Sequence, residues 1–171
     1  MNRVIFFLFI PLIFVDCLGI PENITPVKSF QLNNYLGKWY EIARLDHSFE
    51  HGLEQVTAEY SLRDDDGVKV INKGFNSATQ KWKEAEGKAF FVEDKNTGYL
   101  KVSFFGPFYG SYVIFELDKD YRYAFITSSD KSYLWFLSRT ATISDELKNH
   151  FLETAGKLGF NTKELIFVKQ K

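Results

Sequence analysis

The sequence predicts an all-β fold: an eight-stranded antiparallel up-and-down β-barrel with one C-terminal α-helix. Three observations predict it. From Gly37 onward the chain runs in short apolar/polar alternations of period two, broken by Gly, Asp and Asn turn signals at about 8–12-residue spacing. One late segment switches to the 3.6-residue period of a helix. Aromatic residues make up 18% of the 171 residues, a share suited to strands and to an apolar interior.

In chain order, Leu32 to Leu36 reads as a short helical turn before a first strand, Gly37 to Leu45. Thr57 to Arg63 alternates cleanly, with Ala58, Tyr60 and Leu62 on one face and Thr57, Glu59, Ser61 and Arg63 on the other. Asp64 to Gly67 is a hairpin turn. Val68 to Phe75 is the third strand, Lys81 to Phe91 the fourth, and Tyr99 to Phe105 the fifth. Ser111 to Leu117 and Arg122 to Ser128 come next, joined by Asp118-Lys119-Asp120, and Ser132 to Ser138 is the eighth. Ser144 then caps a helix that carries Asp145 and Glu146 at its positive end. Leu147, Phe151, Leu152, Ala155 and Leu158 share one face of it, and Gly159 ends it. Leu165 to Val168 is a last short strand. Eight antiparallel strands close into a barrel wide enough for one small ligand, and closure removes exposed edges.

The formal net charge is −1, with both signs interspersed, which excludes a nucleic-acid-binding face. Asn2-Arg3 followed by the apolar run Val4 to Val15 is too short to cross a bilayer and reads as a signal peptide over residues 1–19, so the chain is exported. Residues 20–30 read as a tether and 31–171 as the barrel domain. Cys17, the single cysteine, excludes an internal disulfide and stands where bacterial lipoproteins are cleaved and acylated. Asp16 departs from the small residue that motif wants. Two outcomes stay open: a lipid anchor on Cys17 at the periplasmic side of an outer membrane, or ordinary cleavage near Gly19 giving a soluble periplasmic or secreted protein.

Gly37-Lys38-Trp39 on the first strand, Asp120-Tyr121 between the sixth and seventh, and Arg139 at the end of the eighth occur in an order and spacing that resemble the lipocalin family. Stretches such as Lys101 to Gly110 and Thr142 to Glu146 are similar to its bacterial outer-membrane branch, which is related to apolipoprotein D. The resemblance implies that Gly37, Trp39, Asp120, Tyr121 and Arg139 serve the fold. Trp39 would plug the closed end, with Arg139 across its ring as a cation–π pair of about 0.5–2 kcal/mol. It also implies aromatic pocket positions at Tyr60 and Trp135, and a homodimer.

Inward parity nominates the ligand lining: Ala58, Tyr60, Leu62, Phe91, Leu100, Val102, Phe104, Tyr112, Trp135 and Leu137. The small residues Ala43, Gly74, Gly87 and Ala89 are expected to leave open space. Such a lining suits a fatty acid or lysophospholipid, with about 0.8 kcal/mol for each buried methylene. Phe49, Leu53 and the aromatics of Phe105 to Gly110 belong to open-end loops, where they could meet a membrane, pair two barrels, or pack locally. His47 and His51 lie four apart beside Gly52, which argues against a metal site. No nucleophile motif, phosphate loop or cofactor signature stands out, so no catalytic residue and no cofactor are expected. The function expected is storage or transport of a single-chain lipid for cell-envelope maintenance. The alternatives are a lipid-modifying enzyme or isomerase on the same barrel, a carrier of another small hydrophobic ligand, and a structural scaffold.

Overall fold

The computed structural model describes residues 18–171. The signal-peptide reading and Cys17 lie outside the described residues. The elements run α1 (Leu32–Tyr35), β1 (Gly37–Leu45), β2 (Leu53–Leu62), β3 (Val68–Asn76), β4 (Lys81–Phe91), β5 (Tyr99–Phe105), β6 (Phe108–Leu117), β7 (Tyr123–Thr127), β8 (Leu134–Ser138), α2 (Asp145–Lys157) and β9 (Leu165–Phe167). The strands form one antiparallel sheet, each paired to its sequence neighbour from β2 through β8, then to β1 and β9. Pairing of β1 with β2, from Gly37↔Tyr60 to Tyr40↔Thr57, closes the barrel.

Closure between β1 and β2 is direct only in that lower half. Above it the strands part, and the C-terminal chain fills the gap. β9 pairs with Ala43 to Leu45 of β1, the Val168 amide donates to the Ile42 carbonyl (2.9 Å), and the Gln55 amide donates to the Lys169 carbonyl (2.8 Å). The Gln170 side-chain amide donates to the carbonyls of Glu41 (2.7 Å) and Val56 (3.1 Å), one on each flank. The seam is stitched by the tail.

Two bulges change the predicted parity. One falls between Glu41 and Ala43 in β1, and one between Glu54 and Thr57 in β2, where Gln55 takes a φ of 52°. A bulge adds one residue and flips the later positions of its strand to the other face. For that reason Ala43 faces outward, under the helix, whereas Arg44 joins the interior. Ala43 packs with Ile42, Leu45, Phe125, Phe136, Phe151 and Ala155 in a wall-and-helix layer. Phe151 of α2 meets Phe136 and Phe125 at ring-centroid distances of 4.8 and 4.9 Å. Ser144 caps the helix, its hydroxyl accepting from the Leu147 amide at 3.2 Å.

Residues 20–30 are not a free tether, which corrects that expectation. Gly19 donates to the Ser111 hydroxyl (2.8 Å) beside Ser129 at the open rim. The strap then descends the outer wall, with Val27 bonded to Ile114 and Gly98, and Phe30 bonded to Asn96. Ile24 and Phe30 are buried. A segment with this much apolar burial does not dangle.

Candidate ligand-binding barrel

The floor is built first. Trp39 is fully buried, and its indole N–H donates to the Tyr35 carbonyl at 2.8 Å. The Arg139 guanidinium lies 3.9 Å over its ring and donates to the carbonyls of Lys38 (2.9 Å), Asn34 (2.8 Å) and Tyr121 (3.3 Å). Burial holds the Arg139 pKa below its ordinary value. Gly37 takes a φ of 90°, and a Cβ there would stand 3.5 Å from Arg139. Tyr121, at a φ of 57°, accepts the Gln31 amide on its hydroxyl (2.8 Å), tying the strap to the floor. Asp120 donates its amide to Asp118, and Asp118 is the turn's anchor: its carboxylate takes two guanidinium bonds from Arg122, at 2.8 and 2.9 Å, which lower its pKa to about 2.

Above the floor, Tyr35, Tyr60 and Tyr112 join hydroxyls, with both Tyr35 and Tyr60 at 2.8 Å from Tyr112. Burial raises all three phenol pKa values. Three hydroxyls share two bonds, so one phenolic proton remains to meet a ligand oxygen.

A charged belt crosses the upper lumen on the β1 and β8 side. Arg44, 1% exposed, donates to the Glu41 carboxylate at 2.7 Å and to the carbonyls of Glu50 (2.9 Å) and Leu53 (3.2 Å). These bonds fold the first loop into the barrel mouth. Its Glu50 carboxylate accepts the Trp135 indole N–H at 3.1 Å. Burial, and then the charge of Glu50, raises the Glu41 pKa well above 4.5; burial also raises that of Glu50. A carboxyl with a raised folded pKa stabilises the fold fully below its unfolded value, and that contribution is lost as pH rises through the folded value. From pH ~4.5 upward, wild type should therefore lose stability relative to Glu41→Gln. Urea midpoints of both proteins across that range check this; parallel curves would remove Glu41 as the titrating group.

The opposite wall is apolar. Register places Ala58 and Tyr60 on β2, Val68 and Val70 on β3, Ala89 on β4, and Leu100, Val102 and Phe104 on β5 along one continuous inner surface, whereas Phe91, expected there by parity, stands at the foot of β4 against Phe30 of the strap, at a ring-centroid distance of 6.1 Å. Tyr112, Ile114, Ala124, Ile126, Trp135 and Leu137 complete it. Val102, Phe104, Tyr112 and Trp135 remain partly exposed despite facing inward. Leu62 does not belong there. It is 60% exposed, because Tyr60 already pairs with the first residue of β1 and the next inward position stands below the floor. There it walls an outer cleft of about 430 Å³ with Phe30, Leu32 and Phe91.

The small residues do not leave voids, which corrects a second expectation. A Cβ on Gly87 would meet the Phe104 ring at 2.8 Å, and one on Gly74 would meet Leu53 at 3.0 Å. Sequence reasoning also missed Tyr35, Glu41, Arg44, Glu50 and Asn72. Their signal was present in part, as Glu41 and Arg44 among the apolar residues of the upper first strand.

Comparison with known proteins agrees with this geometry. Residues 30–170 match the lipocalin-like domain. The chain is 55% identical over 170 residues to the "Outer membrane lipoprotein Blc" of Vibrio cholerae, covering 99% of both chains. It is 53% identical over 150 residues to the protein of the same name in Escherichia coli K12, covering 88% of this chain and 85% of that one. Apolipoprotein D of Bos taurus is 34% identical over 127 residues, covering 70% of this chain and 66% of that one. Insecticyanin of Manduca sexta shares the fold at a TM-score of 0.70 and 20% identity, covering 90% and 88% of the two chains. The chain belongs to the lipocalin family, whose barrels hold small hydrophobic ligands.

Proposed function

We propose that this lipocalin stores or carries a single-chain lipid, a fatty acid or lysophospholipid, in its barrel, in the service of the cell envelope. The observation that carries this reading is the inner wall of Val102, Phe104, Tyr112 and Trp135, which is apolar or aromatic, faces inward, and still touches solvent. An acyl chain laid against it would gain about 0.8 kcal/mol per buried methylene, enough for micromolar binding after association costs. Ala58, Tyr60, Leu100 and Leu137 back that wall. Binding of this kind requires no covalent step.

Location is tied to the strap. Its first described residues sit at the open rim, and Cys17, the residue that would carry an acyl group, precedes them in the sequence. Phe49, Phe105 and Phe108 are exposed on that rim by 56%, 81% and 63%. An anchored barrel thus holds its opening close to the lipid surface. Relatives named as outer membrane lipoproteins support an exported, outer-membrane-associated protein.

Displacement of a fluorescent fatty acid tests the proposal. Trp135→Ala and Tyr60→Ala should each weaken binding by roughly tenfold, as loss of a buried aromatic contact would, whereas Glu59→Ala on the outer face should change it less than twofold. Absence of saturable displacement in wild type would sink the reading.

A further inference from the structure

The outside of the rim is lopsided. At the β5–β6 tip, Phe105 and Phe108 stand exposed on either side of Gly106-Pro107. Beside that tip, β4 pairs with β5 only from Lys88 to Phe91, so the β3–β4 hairpin stands clear and residues 81–86 are all exposed. Trp82, half exposed, lies against Phe75 at a ring-centroid distance of 5.4 Å. Lysines surround these rings. Lys73 lies 5.2 Å from the Trp82 ring, Lys88 and Lys101 lie 5.9 and 5.0 Å from that of Tyr109, and Lys81 and Lys83 extend from the hairpin. Glu54, Glu59, Glu84 and Glu86 share this side, but Lys69 answers Glu86 at 2.9 Å, and positive charge remains in excess. Across the mouth the rim carries Asp46 and Asp130, and Phe49 there stacks on His47.

We propose that this side of the rim, from the β3–β4 hairpin to the β5–β6 tip, docks directly on an anionic lipid bilayer. Phe105 and Phe108 enter the acyl boundary, and Trp82 lies at the level of the head groups, where an indole is favoured. The lysines lay their stems along the rings and carry their ammonium groups to the lipid phosphates. Exposed rings alone would suit any apolar partner; the lysines around them select a negative one. A second copy of this chain fits the face poorly, because the same lysines would meet like charge to like. Lys81 and Lys83 also point inward at the free edge of β4, a placement that discourages strand addition. The inference concerns the outer surface of the rim, so it does not depend on what the lumen holds.

Bromine on a phospholipid acyl chain quenches a tryptophan that reaches the bilayer. The exported protein is mixed with vesicles of brominated phosphatidylcholine, with and without phosphatidylglycerol, and Trp82→Phe supplies the background from Trp39 and Trp135. Quenching of Trp82 should be at least ~3-fold stronger with phosphatidylglycerol, and the difference should fade at high salt. Phe105→Ser with Phe108→Ser, and separately Lys81→Gln with Lys83→Gln, should each cut that quenching by at least about threefold. Lys95→Gln with Lys157→Gln removes equal charge at other faces and should change it less than ~1.5-fold. Circular dichroism verifies that each variant is folded. Absence of Trp82 quenching, equal quenching on both vesicles, or equal loss in the Lys95 and Lys157 variant overturns the proposal. A dimer that the two Phe substitutions dissolve, with no quenching on either vesicle, would make this side an interface between copies and overturn it too. Fatty-acid displacement should be the same in all these variants; its absence in wild type would sink the carrier reading and leave the docking result standing.

Discussion

Trp39→Ala is expected to lower stability by about 3–5 kcal/mol, the cost of emptying a buried aromatic site. The ring is fully buried, lies against Tyr35 at a centroid distance of 4.7 Å, and carries Arg139 on its other side. Its removal deprives the guanidinium of its ring and the floor of its plug. For a chain of this size, roughly 2–4 °C of melting temperature accompanies each kcal/mol, so a fall on the order of 10 °C should appear by circular dichroism. A melting point within roughly 3 °C of wild type would mean that the strap and α1 seal the floor without the ring.

Arg44→Met should be of similar size, for an electrostatic reason. It leaves Glu41 buried with no counter-charge, a situation that costs about 3–5 kcal/mol. The informative measurement is the double variant. Arg44→Met with Glu41→Leu removes both charges, and it should be more stable than Arg44→Met alone. Additive losses would show that Arg44 matters through its bonds to the loop carbonyls of Glu50 and Leu53 rather than through Glu41. Opening of that loop, monitored by Trp135 fluorescence, distinguishes the two.

Most of the barrel is legible in the chain because alternation reports which face a residue takes. Ala58 and Tyr60, Leu100 and Val102, and Trp135 and Leu137 fall where period two puts them. Alternation does not report height. Leu62 obeys the parity and still stands outside, since the floor is set by where β1 begins, not by β2 itself. Nor does it survive a bulge: the extra residue in β1 places Ala43 under the helix and turns Arg44 inward. The polar belt escaped notice for a third reason. Glu50 belongs to a loop, and its contacts with Arg44 and Trp135 bring it into the barrel. The strap escaped because Ile20 to Ser29 has the Pro, Asn and Lys of a linker, while Ile24 and Val27 anchor it through partners far along the chain.

The Gln170 amide reaches back to a carbonyl 129 positions earlier. A cylinder whose seam is completed by a segment this far along the polypeptide keeps its upper part open until that segment has been made. Such long-range closure slows folding, because the cost of joining distant segments comes before the contacts that reward it. For a chain that must be threaded across a membrane before it folds, this delay is useful: the piece that locks the container reaches the far side after the staves that it joins.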